Sequence, residues 1–205
     1  MLTDATVADV LRPSDKRRAV FYDVALIIGG SLFIALSAQV AVPLWPVPVT
    51  GQTFAVLMIA ALLGCRRGCC AVLAYIAEGA AGLPVFAYAR AGFAVLSGPT
   101  AGYLAGFIAA ACIVGMLAEK GWDRRIGTTI LVMVFGNIAI YVFGLLWLCC
   151  LMGVKRTVLT AGLYPFILGD LMKIMLAAAL LPAGWKFLGY IGLPVKKNKH
   201  SQQSG

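Results

Sequence analysis

Tyr164–Leu181 reads YPFILGDLMKIMLAAALL, an apolar run broken by one carboxylate, Asp170, and one ammonium, Lys173. A run of this length nearly matches the roughly 20 residues that an α-helix needs to cross the hydrocarbon core of a bilayer. Ionised groups at that depth are expensive unless they are paired or wetted. The i, i+3 spacing places both on one helix face, where they can pair and still offer an acceptor and a donor to a ligand. The stretch reads as a membrane helix carrying a polar site. A pair that only fixes helix packing is the plainer alternative.

The chain around it has the same character. Of its 205 residues, 61% are hydrophobic and only 12% charged, and the mean hydropathy is +0.93, far from soluble averages. Six apolar segments predict an all-α integral membrane protein: Phe21–Val42, Gly51–Leu63, Gly68–Ala81, Pro99–Leu117, Gly127–Met152 and Leu159–Leu181, the last with an interfacial continuation to Tyr190. A polar, basic arm (1–20) precedes them, so the first run reads as a retained helix rather than a signal peptide. A basic tail (193–205), with the one histidine, His200, reads as disordered. Residues 21–192 form the expected membrane domain.

Net charge is +9, but no basic stripe with interleaved aromatics points to nucleic acid. The cations follow topology instead. Arg12, Lys16, Arg17, Arg18, Arg66, Arg67, Lys120, Arg124, Arg125, Lys186, Lys196, Lys197 and Lys199 fall on one side; Arg90, Lys155 and Arg156 fall on the other. This imbalance predicts that both termini are cytoplasmic. The Pro- and Gly-rich stretches PLWPVPVTG and GLPVFAYARAGFAVLSGP then face outward. Irregular backbone at membrane depth requires protein cover or water, so a ligand cavity is expected there.

Several residues qualify as lining for such a cavity. Arg90, in YARAG between Tyr88 and Phe93, can hold a carboxylate or snorkel to lipid phosphate. Gln52, beside Thr50 and Thr53, can donate and accept to an amide or urea. Asn137 and Tyr141 share a helix face and point into the bundle, for a ligand or for an interhelical hydrogen bond. Glu78 is a further ionisable candidate, while Asp23 reads as an interfacial residue and Trp45 as either a cavity wall or a belt aromatic. Ala25 with Gly29, and Ser31 with Ala35, supply small-residue spacing for contact with a partner helix. The six cysteines lack a CxxC pair or a nearby histidine and read as small apolar side chains, with no metal site. No phosphate loop, HExxH or GxSxG occurs, so no enzyme is expected, and ATP-driven work belongs to partner chains.

PVPVTGQTFAVLM, then GLPVF and SGPTAGYLAGF, then PFILGDLMK occur in the order and spacing of the BioY family, which this chain resembles. BioY proteins are the biotin-binding S subunits of energy-coupling factor (ECF) transporters. The resemblance implies a six-helix subunit in a prokaryotic cell membrane that captures biotin from outside and carries no cofactor. It also implies a transmembrane T subunit and two ATP-binding-cassette ATPases as partners, and toppling of the S subunit in the membrane to release ligand inward. Asp170 and Lys173 match the family's GDxxK pair, Gln52 the glutamine of the loop-to-helix motif, and Gly102 with Tyr103 the GPTGGY segment. Arg90 departs from a Gly/Asn-rich loop, Leu104 replaces an arginine of some members, and Glu78 stands where an apolar residue is expected. The resemblance places Asp170, Lys173 and Gln52 near the ureido ring and Arg90 near the carboxylate, an assignment that can also run end for end. The alternatives are a stand-alone or proton-coupled carrier using Asp170, Lys173 and Glu78, an S subunit for another vitamin, and a membrane enzyme.

Overall fold

The computed structural model describes residues 5–153 and 163–192. Lys155, Arg156, the start of the last expected segment at Leu159, and the tail from 193 with Lys196, Lys197, Lys199 and His200 lie outside them. The described elements are α1 (Val7–Val10), α2 (Lys16–Gln39), β1 (Ala41–Val42), β2 (Val49–Thr50), α3 (Gln52–Ala80), α4 (Phe93–Leu96), α5 (Ala101–Glu119), α6 (Ile126–Met152) and α7 (Tyr164–Tyr190). Among the described residues five helices, α2, α3, α5, α6 and α7, are long and apolar enough to cross a membrane. The last runs unbroken through Pro182 to Tyr190, so the expected continuation to Tyr190 is part of the same helix.

The expected second and third segments are two limbs of α3, divided at Gly64, whose φ of 84° leaves the helical region. A side chain is strained at that φ, and a Cβ there would lie 2.7 Å from Glu119 Oε1. The limbs lie side by side. Gln52 donates a hydrogen bond to the Tyr75 hydroxyl, although 23 residues of straight helix would span about 35 Å. Likewise a Cβ on Gly68 would lie 2.9 Å from Ala60 Cα. Glu119, arriving from α5, accepts from the Cys65 N–H at 2.9 Å and so caps the second limb.

This hairpin is the centre of the molecule, with α2 and α5 packed on it, α6 on α5, and α7 against α6 and the start of α3. Lipid tails are as apolar as leucine, so close packing rather than the hydrophobic effect holds such helices together. Gly106 shows how closely: a Cβ there would meet Ile140 Cα at 2.8 Å. Ile34, Val56, Val72, Tyr75, Val114, Met133, Ile140 and Leu148 are fully buried. Phe21, Leu36, Leu168, Met172 and Met175 point outward, a surface suited to acyl chains.

At one end, polar contacts gather the arm, the hairpin turn and the ends of α5 and α7. Arg67 pairs with Asp9 at 2.7 Å and with Asp23 at 2.8 Å, and Arg12 pairs with Asp23 at 2.6 Å. The arm is therefore docked, with Ala5, Thr6 and Ala8 buried. Asp9 lies below the usual carboxylate range: burial pushes it up, but hydrogen bonds from Arg67 and Thr6 outweigh that. Asp123 accepts from Trp185 Nε1 at 2.6 Å, and the Arg124 guanidinium covers the Trp185 ring at 4.4 Å. Burial raises Asp123 to about 6 against the hydrogen bond from Trp185.

Candidate functional site

The other end holds the cavity. The Pro-rich stretch closes as an antiparallel pair, Ala41 opposite Thr50 and Val42 opposite Val49, which delivers Thr50, Gln52 and Thr53 to the mouth of the α3 hairpin. The second irregular stretch folds back through a Phe86–Arg90 bridge, with Tyr88 and Ala89 both at positive φ, 60° and 54°. Non-glycine residues rarely adopt that conformation. Gln39, at the end of α2, holds the turn: its amide donates to Phe86 O at 3.2 Å and accepts from the Ala89 N–H at 3.0 Å.

Between these loops and the helices lies a narrow pocket, open at its mouth. Its walls are Val47, Pro48, Phe86, Val95, Leu104, Phe107, Ile140 and Phe166; Thr50, Gln52, Thr53, Thr100, Tyr103 and Tyr141 add polar groups. Tyr103 stacks on Phe166 with ring centres 6.0 Å apart, and Tyr141 meets the same ring edge-on at 6.3 Å. Small-molecule sites have this mostly apolar wall with a few placed polar groups.

Behind the polar side lies a fully connected network. Lys173 donates to Thr50 O at 2.9 Å, Thr53 Oγ1 at 2.8 Å and Asp170 Oδ1 at 3.0 Å, which occupies all three ammonium protons. Asp170, nine-tenths buried, also accepts from Thr53 Oγ1 at 3.3 Å and from the Tyr141 hydroxyl. Gln52 is fixed between the Thr50 hydroxyl, at 2.9 Å, and Tyr75. The threonine and tyrosine groups that face the cavity are therefore oriented by the buried ion pair.

Residues 12–195 match the model of the BioY family. The chain belongs to this family. It is 40% identical over 151 residues to the biotin transporter BioY of Thermotoga maritima, covering 72% of this chain and 86% of that one. To the biotin transporter BioY of Rhizobium etli it is 36% identical over 158 residues, covering 74% and 83%. Its fold is similar to the crystal structure of the S-component for biotin from an ECF-type ABC transporter, with a TM-score of 0.74 and 26% identity over 85% of this chain and 95% of the other. The chain is a multi-pass membrane protein of a transporter family.

Of the residues singled out in the sequence, Gln52, Arg90, Tyr103 and Tyr141 line the cavity of this BioY-family chain. Asp170 and Lys173 stand one layer behind, reaching it through Thr50, Thr53 and Tyr141. Arg90 is exposed at the mouth, its Nε 3.4 Å from Ala87 O and its guanidinium 5.8 Å from the Tyr88 ring centre; no described carboxylate pairs with it. Asn137 does not reach the cavity. It borders a small neighbouring void with Lys173, and its buried Oδ1 has no hydrogen-bond partner among the described residues. Glu78 also lies off the cavity and accepts from Ser31 at 2.6 Å. Trp45 is exposed and outside the lining. The small-residue stripe on α2 divides: Ala25 and Gly29 are exposed, but Ser31 and Ala35 are buried within the chain. The six positions from 25 to 31 turn a helix by about 600°, which rotates the two pairs onto different faces.

Gln39, Tyr75 and Ile140 are not singled out in the sequence, and Phe86, Phe107 and Phe166 enter only as members of the motifs GLPVF, SGPTAGYLAGF and PFILGDLMK. Gln39 sits 46 to 50 residues from the groups it holds, and the others are apolar or aromatic residues within apolar runs.

Proposed function

We propose that this chain captures biotin in the cavity as the S subunit of an ECF importer. The observation that carries the reading is the cavity's polarity: a fixed polar network on one side, aromatic walls between, and at the mouth a cation with no described carboxylate partner. Biotin has matching parts: a ureido ring that donates and accepts, an apolar bicycle and chain, and a terminal carboxylate. Thr50, Gln52, Thr53 and Tyr141, oriented by Asp170 and Lys173, meet the ureido group; Tyr103 and Phe166 flank the bicycle; Arg90 holds the carboxylate. Asn137 and Glu78 support neighbouring packing.

In this reading each limb of α3 crosses the membrane separately, giving six crossings. The limbs rise about 18 and 24 Å at 1.5 Å per residue, short of the roughly 30 Å core, and are shielded by the helices around them. The arm (1–20) and the tail (193–205) are cytoplasmic, the cavity opens outward, and the membrane is the prokaryotic cell membrane. A T subunit and two ATPases supply the power stroke, with Ala25 and Gly29 on the exposed face of α2 available to the T subunit. ATP is used only by the partners.

The test is equilibrium binding of labelled biotin to the purified chain in detergent without partners, competed with unlabelled biotin and with unrelated vitamins. Saturable binding displaced by biotin alone is expected. A folded sample that does not bind, or that prefers another vitamin, refutes the assignment.

A further inference from the structure

We propose that Cys65, Cys69 and Cys112 form a three-thiolate site for Cu(I) that staples the turn of the α3 hairpin to α5. The three sulfurs lie within 4.8 Å of one another, with Cys65 and Cys112 in contact at 3.5 Å. Cys65 and Cys69 are one turn apart on the second limb, so they share a face; Cys112 comes from α5, 47 residues from Cys65. A metal with three sulfur ligands at about 2.3 Å in a plane places the sulfurs about 4.0 Å apart, so small rotamer adjustments complete the shell.

The donor set selects the ion. Soft thiolates favour Cu(I) among available cations, and a closed zinc site requires a fourth ligand. Among the described residues no other cysteine, histidine or carboxylate joins the group. Cys65 also borders a wide hollow open to solvent, lined by Arg12, Arg66 and Arg67 and by Asp9, Asp23 and Glu119, which gives the ion a path. The backbone here is closely packed: a Cβ on Gly115 would lie 2.4 Å from Cys65 N. The ligands therefore stand on rigid elements. Binding forms three Cu–S bonds and releases three thiol protons to solvent, with no change in copper oxidation state.

The reduced full-length chain in detergent is titrated with Cu(I) against bicinchoninate. One Cu(I) per chain should be retained, with three sulfur neighbours by X-ray absorption. Cys65→Ser and Cys112→Ser should each lower the apparent affinity at least 100-fold, while Cys70→Ser and Cys149→Ser retain it. Circular dichroism and elution volume report folding, and Cys69→Ser reads the same loss if another variant does not fold. No copper retained by the parent chain, or equal retention by folded Cys65→Ser and Cys112→Ser, overturns the proposal.

Discussion

The two ends of the molecule use charge differently. At the arm end, Arg67 is shared by Asp9 and Asp23, and Arg124 lies over the Trp185 ring; these cations are consumed in joining elements that are remote in sequence. At the cavity end, Lys173 is equally consumed, but its partners Thr50 and Thr53 face an open space, and Arg90 at the mouth pairs with no described carboxylate. The arm end is a clasp and the cavity end is a receptacle. Substitutions at the first should therefore act on stability, and substitutions at the second on binding.

Lys173→Ala should have the largest effect, because it leaves Asp170 as an uncompensated buried carboxylate. Breaking such a pair costs about 3–5 kcal/mol, divided here between folding and site geometry. Biotin affinity should fall by on the order of 100-fold by equilibrium binding, and unchanged affinity in a folded variant would remove the network from the site. Asp123→Asn probes the clasp through pH. Its carboxyl is raised from 3.8 to about 6 in the fold, so the protonated form is favoured and its stabilisation is complete below pH 3.8. That stabilisation fades as pH rises through 6, by about 3 kcal/mol. Melting in detergent at pH 4.5 and 7.5 should show a pH-dependent loss in the parent chain that Asp123→Asn lacks, with biotin affinity the same at neutral pH; equal pH dependence in both would contradict the burial of Asp123. Arg67→Ala should lower the melting temperature by the equivalent of about 1–2 kcal/mol, since its partners are partly exposed, and leave biotin affinity unchanged. A drop in affinity instead would blur the distinction between clasp and receptacle. Gln39→Ala should have the smallest effect, a several-fold faster release of biotin by filter binding, because the turn carrying Arg90 loses its clamp but keeps its Phe86–Arg90 bridge.

The sequence made the charged part of this arrangement legible and hid most of the rest. Asp170 and Lys173 stand out because ionised residues in an apolar run contrast with their surroundings, and the i, i+3 rule then fixes their pairing. The breaks before Gln52 and after Ala80 are equally visible in their prolines and glycines. Phe107, Ile140 and Phe166 have no such contrast, since a cavity wall and a lipid-facing surface use the same residue types. The sequence also divides α3 near Arg66 and Arg67, but the single-residue turn at Gly64 depends on the cap from Glu119, 54 residues away from Cys65. Ser31 and Ala35 have the spacing of an interhelical contact and do make one, within their own chain. Spacing does not say which helix is the partner.

The most direct test of the receptacle compares biotin with its uncharged carboxamide on the parent chain and on Arg90→Ala. If the carboxylate meets Arg90 and the ureido ring meets the network, the parent chain should prefer biotin by about tenfold, the weight of an exposed charge-assisted contact. Arg90→Ala should then bind both ligands alike, with the carboxamide no weaker than on the parent chain. Undiminished preference for biotin in Arg90→Ala would contradict the account and place the carboxylate elsewhere in the cavity.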